Sequence, residues 1–315
     1  MVPLRHNHQW RVHIGAAVIV LLLAMLATML SLERSHEVPW TENPWAPHER
    51  VQPLGGIGAA LLPSLPPDIP PENFVTPEQL ARIETLKSKL KRRYNFDIRV
   101  FEVSSIEQRF GLRAVAYAPQ DIEIHLTALG TWLAKYPPFY IARIGIRTVH
   151  LFDQWRYGNI RAAGFLIGDD AIGITGDEEV LHHELWHVAD AFLSLPDDNE
   201  RWLRAKFGTT PPDGIESLSG LRALQQNLHL QDRPFGYASA YGKYAGVDED
   251  QATTASMLLS DSPTLSILMR KEPPLRAGVR YLQAFFAEQS EDRMDRTYWD
   301  DLSANSAITE RYWRL

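Results

Sequence analysis

Residues 183–187 read His-Glu-Leu-Trp-His, so two histidines four positions apart flank a glutamate. On a helix, residues four apart lie on the same face, and His183 and His187 can therefore present two imidazoles to one metal ion. Imidazole is a preferred ligand of Zn²⁺, and a glutamate at this spacing is placed to act as a general base. The pattern indicates two ligands of a catalytic zinc site, with Glu184 as the base.

The helix that carries this motif has an apolar stripe and a polar stripe. At 100° per residue, the apolar stripe consists of Leu181, Leu185, Val188 and Phe192. His183, His187 and Asp190 fall on the opposite stripe, which indicates that the two histidines serve chemistry rather than the core. Asp190 either supports a ligand histidine by accepting its distal N–H or is a solvated helix residue. Trp186 and His182 lie to the side, and Trp186 is expected to pack.

The motif leaves the third ligand of the metal to be found. A catalytic zinc ion takes three protein ligands and keeps a fourth position for water. A metzincin would carry a histidine or aspartate six residues after His187, but Leu193 stands there and excludes that class. Further along, residues 236–254 read GYASAYGKYAGVDEDQATT. The run HHELWHxxD, followed by A-S-x-Y and E-D-x-A, resembles the zinc-binding metallopeptidases of the gluzincin type, which are distantly similar to the lethal-factor-like metalloproteases.

This resemblance covers roughly residues 76–315 and implies a third ligand. In that family the glutamate of E-D-x-A completes the zinc site from a second helix, and the matching residue here is Glu249. Asp248 and Asp250 remain alternatives as the ligand, since each is otherwise an ordinary acid at the start of a helix. The chain departs from the family pattern at Thr253, where a second glutamate is usual.

The resemblance also implies a tyrosine that stabilises the oxyanion. Tyr241 matches it, with Tyr237 and Tyr244 as alternatives. The implied reaction is hydrolysis of a peptide or protein substrate: one zinc ion would lower the pKa of a water toward ~7, and Glu184 would move its proton to the leaving amine. Two other functions stay open, a zinc amidase acting on a non-protein amide of the cell wall and a non-catalytic module that binds zinc or presents a surface.

The elements that must hold these residues predict an α+β fold. Thr76-Pro77-Glu78-Gln79 is a capping box, and the amphipathic helix that it begins should end near Arg93. Periodicity predicts a strand at 96–103, a helix at 122–135 and a strand at 148–152. We therefore expect a small mixed sheet, the motif helix and then a helical C-terminal half, an arrangement that the resemblance identifies as zincin-like.

Two local signals precede the motif helix. Residues 163–167 and 171–175 predict a β-hairpin around a short turn, and the first of its strands could pair with an extended peptide if it lies at the sheet edge. Thr175-Gly176-Asp177-Glu178 reads as a second capping box, which predicts that the motif helix begins at this point.

The N-terminal part of the chain predicts a membrane anchor. Residues 14–32 carry no charge and are long enough to span hydrocarbon as a helix, with Arg5 and Arg11 on the short side. The predicted segments are a cytoplasmic tail at 1–13, the span at 14–32, a stalk with many prolines at 33–75 and the metallopeptidase domain at 76–315. The protein would then be a single-pass membrane protein with its catalytic domain outside the cytoplasm. A cleaved secretory signal is the alternative.

Composition excludes several other classes. The 315 residues carry a net charge of -7, which argues against a nucleic-acid partner because no basic surface is available to neutralise phosphates. The chain contains no cysteine, and this excludes disulfides, thiolate metal ligands and a cysteine nucleophile. Any metal must therefore be held by imidazole and carboxylate groups.

Overall fold

A computed structural model describes residues 75–100, 112–157, 160–167, 170–195, 197–209 and 232–304. These residues form a mixed α+β domain with small sheets and many helices. The helices are α1 (Pro77–Tyr94), α2 (Pro119–Leu133), α3 (Pro138–Arg143), α4 (Glu178–Leu193), α5 (Asp198–Phe207), α6 (Ala240–Ala245), α7 (Val247–Leu259), α8 (Pro263–Lys271), α9 (Pro273–Gln289) and α10 (Arg296–Ser303). The predicted order, a sheet before the motif helix and helices after it, is confirmed for this part of the chain.

The strands belong to two sheets. They are β1 (Asp97–Arg99), β2 (Leu112–Val115), β3 (Thr148–Leu151), β4 (Gln154–Tyr157), β5 (Ile160–Ala162), β6 (Gly164–Ile167) and β7 (Ala171–Ile174). The first sheet has the order β1-β3-β7-β6, in which β1, β3 and β7 are parallel and β6 is antiparallel to β7. The second sheet, β2-β4-β5, is antiparallel and was not predicted.

Helix α1 begins where its capping box predicts. The backbone N–H of Gln79 donates to the Thr76 hydroxyl at 3.2 Å, and the N–H of Thr76 donates to the Gln79 side chain at 3.0 Å. The helix ends at Asn95, whose left-handed backbone (φ 62°) returns its N–H to the carbonyl of Lys91. Both ends of this helix are thus determined by local side-chain and backbone chemistry.

The hairpin before the motif helix is confirmed, but its second capping box is not. Strands β6 and β7 pair with Gly164 opposite Ile174, and the N–H of Thr175 extends the pairing to the carbonyl of Ala163. Because Thr175 still belongs to the hairpin, it does not cap α4. Asp177 does so, with its carboxylate accepting from the N–H groups of Glu179 at 2.8 Å and Val180 at 3.4 Å.

Helix α4 lies against the first sheet and the C-terminal helices. Its predicted apolar stripe is buried at Leu181, Leu185 and Val188. Phe192, the last member of the stripe, is 49% exposed, because α4 has left the core by its final turn. Trp186 packs as predicted, with its ring centroid 5.0 Å from that of Phe285 on α9.

The predicted membrane localisation requires a correction. Among the residues that the structure describes, no helix is long and apolar enough to cross a membrane. A span needs about 20 apolar residues in succession, whereas the two longest described helices, α1 and α9, have 18 and 17 residues and carry charged side chains. The single-pass localisation rested on residues 14–32, which lie outside the described part of the chain, and this finding overturns it.

Candidate metal centre

The two motif histidines face the same side of α4. Their Nε2 atoms lie 3.2 Å apart and their ring centroids 4.8 Å apart. His183 is buried, and the side chain of His187 is 18% exposed. This is the separation that two imidazoles need in order to share one small cation, because each nitrogen would lie about 2 Å from it.

Glu249 brings a carboxylate to the same point from α7. Its Oε2 atom lies 3.0 Å from Nε2 of His183 and 3.4 Å from Nε2 of His187. One ligand atom from each of the three residues falls within 4.8 Å of the others, so the group could hold a metal ion. Helix α7 begins at the turn of Gly246, with φ 127°, and Glu249 follows three residues later in the first turn of the helix.

The two neighbouring aspartates are placed elsewhere. Asp248 accepts a hydrogen bond from the amide of Asn199 at 2.7 Å on the exposed side of α7. Asp250 is buried and accepts hydrogen bonds from Trp202 and Lys206 of α5. In this structure Glu249, and neither aspartate, faces the two histidines.

Glu184 lies beside this group and against the edge of the first sheet. Burial raises the pKa of its carboxyl, while the nearby His183 and His187 act in the opposite direction. Gly164 on β6 makes room for the side chain, since a Cβ atom there would lie 2.6 Å from Oε1 of Glu184 and 2.6 Å from Cγ1 of Val180. The absence of a side chain at Gly164 therefore lets the Glu184 carboxylate contact the strand.

Of the three candidate tyrosines, Tyr241 is the one that the structure places at the group. Its ring centroid is 6.4 Å from that of His183, and its hydroxyl hydrogen-bonds to Glu249. Burial, followed by the charges of Glu249 and Glu184, raises the pKa of Tyr241 well above its ordinary value. The hydroxyl therefore stays protonated and able to donate a hydrogen bond. The rings of Tyr237 and Tyr244 lie instead within 5.7 Å of the Lys243 ammonium.

The electrostatics of the group favour a bound cation. Burial acts to raise the pKa of Glu249, but hydrogen bonds from His183 and His187 outweigh it and hold that pKa far below its usual range. Burial acts to lower the pKa of His187, yet the hydrogen bond with Glu249 and the surrounding carboxylates raise it to about 9. A metal ion binding here would displace a proton from imidazole, so its affinity should increase with pH.

Two further residues of α4, His182 and Asp190, have hydrogen-bond partners outside the group. His182 is fully buried, with Nδ1 2.9 Å from the Tyr136 hydroxyl and Nε2 3.4 Å from Glu178, so it belongs to the core behind the site. Asp190 accepts from the hydroxyl of Ser194 at 2.5 Å and contributes negative charge near His187. Its predicted hydrogen bond to a ligand histidine stays a prediction.

Sequence reasoning missed two features of the site. Gly164 contacts the Glu184 side chain, and a glycine inside a strand, which often marks a close approach by another group, was the available signal. Lys206 and Trp202, which hold Asp250, left no such signal, because their partner lies on another helix more than forty residues away.

Comparisons with known proteins add one similarity. No protein-family model matches the chain, and no curated protein matches it. Among solved structures, it is similar to a crystal structure named "putative zinc-binding metallo-peptidase" from Bacteroides caccae, at 11% sequence identity and a TM-score of 0.48. The alignment covers 75% of this chain and 96% of that one. These values do not place the chain in a family.

Proposed function

We propose that this protein is a zinc-dependent metallopeptidase of the gluzincin type, with a zincin-like fold and the distant lethal-factor-like relationship that its motifs imply. The observation that carries the proposal is the convergence of His183, His187 and Glu249 on one point beside the buried carboxylate of Glu184. A purely structural zinc site has no use for a buried acid at its margin. A hydrolytic site needs one, because a water molecule must lose a proton there.

The donor set fits one zinc ion. Two imidazoles and one carboxylate are the ligands of a well-known type of catalytic zinc site, and three protein ligands leave one position open. His183, His187 and Glu249 would hold the ion. When bound, zinc supplies a Lewis acid that lowers the pKa of a water molecule toward ~7.

Glu184 is the general base of the proposed reaction. Its carboxylate accepts a proton from the attacking water as the water oxygen bonds to the carbonyl carbon of the substrate. Glu184 then donates this proton to the amide nitrogen, and the C–N bond breaks to give an amine and a carboxylic acid, which ionises in water. A raised carboxyl pKa, which burial favours at Glu184, suits a residue that must both accept and return a proton.

Tyr241 assists at the carbonyl oxygen. Its hydroxyl, kept protonated by its raised pKa, hydrogen-bonds to Glu249 and would donate a hydrogen bond to the developing oxyanion. A donor that is already in position stabilises this charge without reorganisation at the moment of reaction. The hydroxyl would exchange its hydrogen bond with Glu249 for one with the substrate.

The substrate binds along β6 as an extended strand. In the described part of the chain, no strand pairs with the outer side of β6, so its backbone groups can pair with a peptide. Gly164 of this strand lies against Glu184, so a peptide paired with β6 would lie beside the base. Leu166 lies on the same face of the sheet as Gly164, two residues away, and is 36% exposed. It can therefore make apolar contact with a substrate side chain.

Metal analysis and peptide cleavage on the full-length purified protein test the proposal together. We expect about one zinc ion per chain, cleavage of an unbiased peptide library, loss of cleavage with a chelator and its recovery with added Zn²⁺. His187→Ala is the matched control and should show neither metal nor cleavage. Zinc without cleavage of any peptide would overturn the peptidase and favour a non-protein amide substrate, and a parent protein without metal would overturn the site.

A further inference from the structure

Helix α7 is enclosed on every side in the region after the proposed ligand. Seven consecutive residues, 250–256, are buried, and most of them are small: alanine, threonine and serine. The rotation of a helix about its own axis is normally determined by one apolar face, which packs against the core. A helix that buries small residues all around has no such face, so something else must determine which side of α7 meets α4.

An ion pair in the first turn of α7 can determine which side of the helix meets α4. The carboxylate of Asp250 pairs with the ammonium of Lys206, and both side chains are almost fully buried, at 1% and 0% exposure. The indole N–H of Trp202 donates to the same carboxylate oxygen at 2.8 Å. Burying two charges brings little or no net stability, because desolvation offsets the attraction. The ion pair instead restricts the orientation of the two helices, because a charged hydrogen bond forms in only a narrow range of geometries.

The neighbours of Glu249 in sequence all contact α5. Asp248 accepts from the Asn199 amide at 2.7 Å, and the side chain of Gln251 donates to the Asn199 carbonyl at 3.1 Å. Asp250 contacts Lys206, about two turns beyond Asn199 along α5. Successive residues of a helix point about 100° apart, so this arrangement turns Glu249 to the histidines of α4. A rotation of that size would present Asp248 or Asp250 instead.

We propose that the buried Lys206–Asp250 pair sets the rotation of α7 and thereby selects Glu249 as the third metal ligand. Asp250 is on this account a positioning residue, since it acts on the metal through its neighbour. The proposal rests on the metal site of the proposed function. It explains why three acids in succession, 248–250, yield one ligand.

The test removes the pair while keeping the fold. Lys206→Met with Asp250→Asn replaces two charges by neutral groups of similar shape, and the amide oxygen can still accept from Trp202. Such replacements of buried ion pairs are often neutral for stability. We expect a melting temperature near that of the parent in the chelated proteins, but zinc affinity, measured by competition with a chromogenic chelator, lower by about 10–100-fold.

A matched control comes from the same helix. Glu200 and Arg204 of α5 form an ion pair at 2.6 Å, with side chains 58% and 63% exposed. Glu200→Gln with Arg204→Met removes two charges of the same kind from α5 without touching α7. Its zinc affinity and melting temperature should both match those of the parent, because exposed pairs contribute little.

A mutant cycle separates positioning from general damage. In a Glu249→Ala background only the weak zinc affinity of His183 and His187 is left, and the Lys206→Met/Asp250→Asn change should not lower it further, because the ligand that the pair positions is gone. Parent-like zinc affinity of Lys206→Met/Asp250→Asn, or additive losses in the cycle, would overturn the proposal while leaving the metal site intact. A parent protein without zinc affinity would instead overturn the proposed function itself.

Discussion

Replacing Gly164 by alanine should separate the position of the base from the binding of the metal. The new Cβ would lie 2.6 Å from Oε1 and 2.8 Å from Cγ of Glu184, and 2.6 Å from Cγ1 of Val180. The carboxylate must recede by roughly 0.8 Å to reach ordinary contact at 3.4 Å. Neither histidine and no atom of Glu249 is among these contacts, so the metal ligands should keep their places.

The magnitude follows from two effects. Overfilling a packed contact costs about 1–3 kcal/mol, which lowers the melting temperature of a domain of this size by about 2–12 °C. A displacement near 1 Å of a reacting group can lower kcat by ~10²-fold. We therefore expect Gly164→Ala to bind zinc as the parent does, to fold at assay temperature and to lose about two orders of magnitude in kcat.

The assay compares Gly164→Ala with Gly173→Ala. Gly173 lies on the paired strand β7, and its Cβ would meet Cζ2 of Trp155 at 2.3 Å, so it should destabilise the sheet comparably without touching Glu184. Zinc content, melting temperature and steady-state kcat are measured for both. The reasoning is refuted if Gly164→Ala keeps the parent kcat, or if Gly173→Ala loses as much kcat in its folded form.

Three further predictions concern other residues. Glu249→Ala should lose zinc and activity together, whereas Asp248→Ala should keep both; metal analysis showing the reverse assigns the ligand to the aspartate. Tyr241→Phe should keep its zinc and lose ~10²–10³-fold in kcat, and an unchanged kcat would exclude an oxyanion role. Hydrogen bonds from Arg233, opposed by burial, hold the pKa of Glu272 below its usual range. The pKa of Glu272 is therefore lower in the folded than in the unfolded protein. Its interaction with Arg233 stabilises the fold fully above the unfolded pKa of ~4.3, and this stabilisation is lost as pH falls through the folded pKa. Glu272→Gln should therefore cost about 1–3 kcal/mol at pH 7, with the difference in melting temperature narrowing below pH ~4; a gap that is constant with pH contradicts this.

Local signals in the sequence predicted those parts of the fold that depend on neighbouring residues. The capping box at Thr76 and the hairpin at 163–175 depend on contacts a few residues long, and both are found. The second sheet was missed because its strands are three or four residues long and β2 pairs with β4 across some forty positions, from Val115 to Gln154. Such pairing is determined by tertiary contacts, which strand patterns in one segment do not contain.

The candidate site divides in the same way. The spacing of His183 and His187 brings two imidazoles together on any helix, so sequence alone predicts that half. The carboxylate comes from 66 positions away, and only the family resemblance pointed to Glu249. Choosing among three successive acids depends on the rotation of α7, which the structure shows to be tied to α5 by Asp250. That information lies in packing between helices and not in the acidic run itself.

The central claim, that Glu184 is the base of a zinc hydrolase and not a support for the metal, is tested most directly by Glu184→Gln. The amide keeps the shape of the side chain and leaves His183, His187 and Glu249 in place. Zinc content and cleavage of the best peptide from the library are measured on the same preparation, beside the parent. The account predicts zinc equal to that of the parent and a rate lower by ~10²–10⁴-fold. A variant that cleaves at the parent rate, or one that loses its zinc along with its activity, contradicts it.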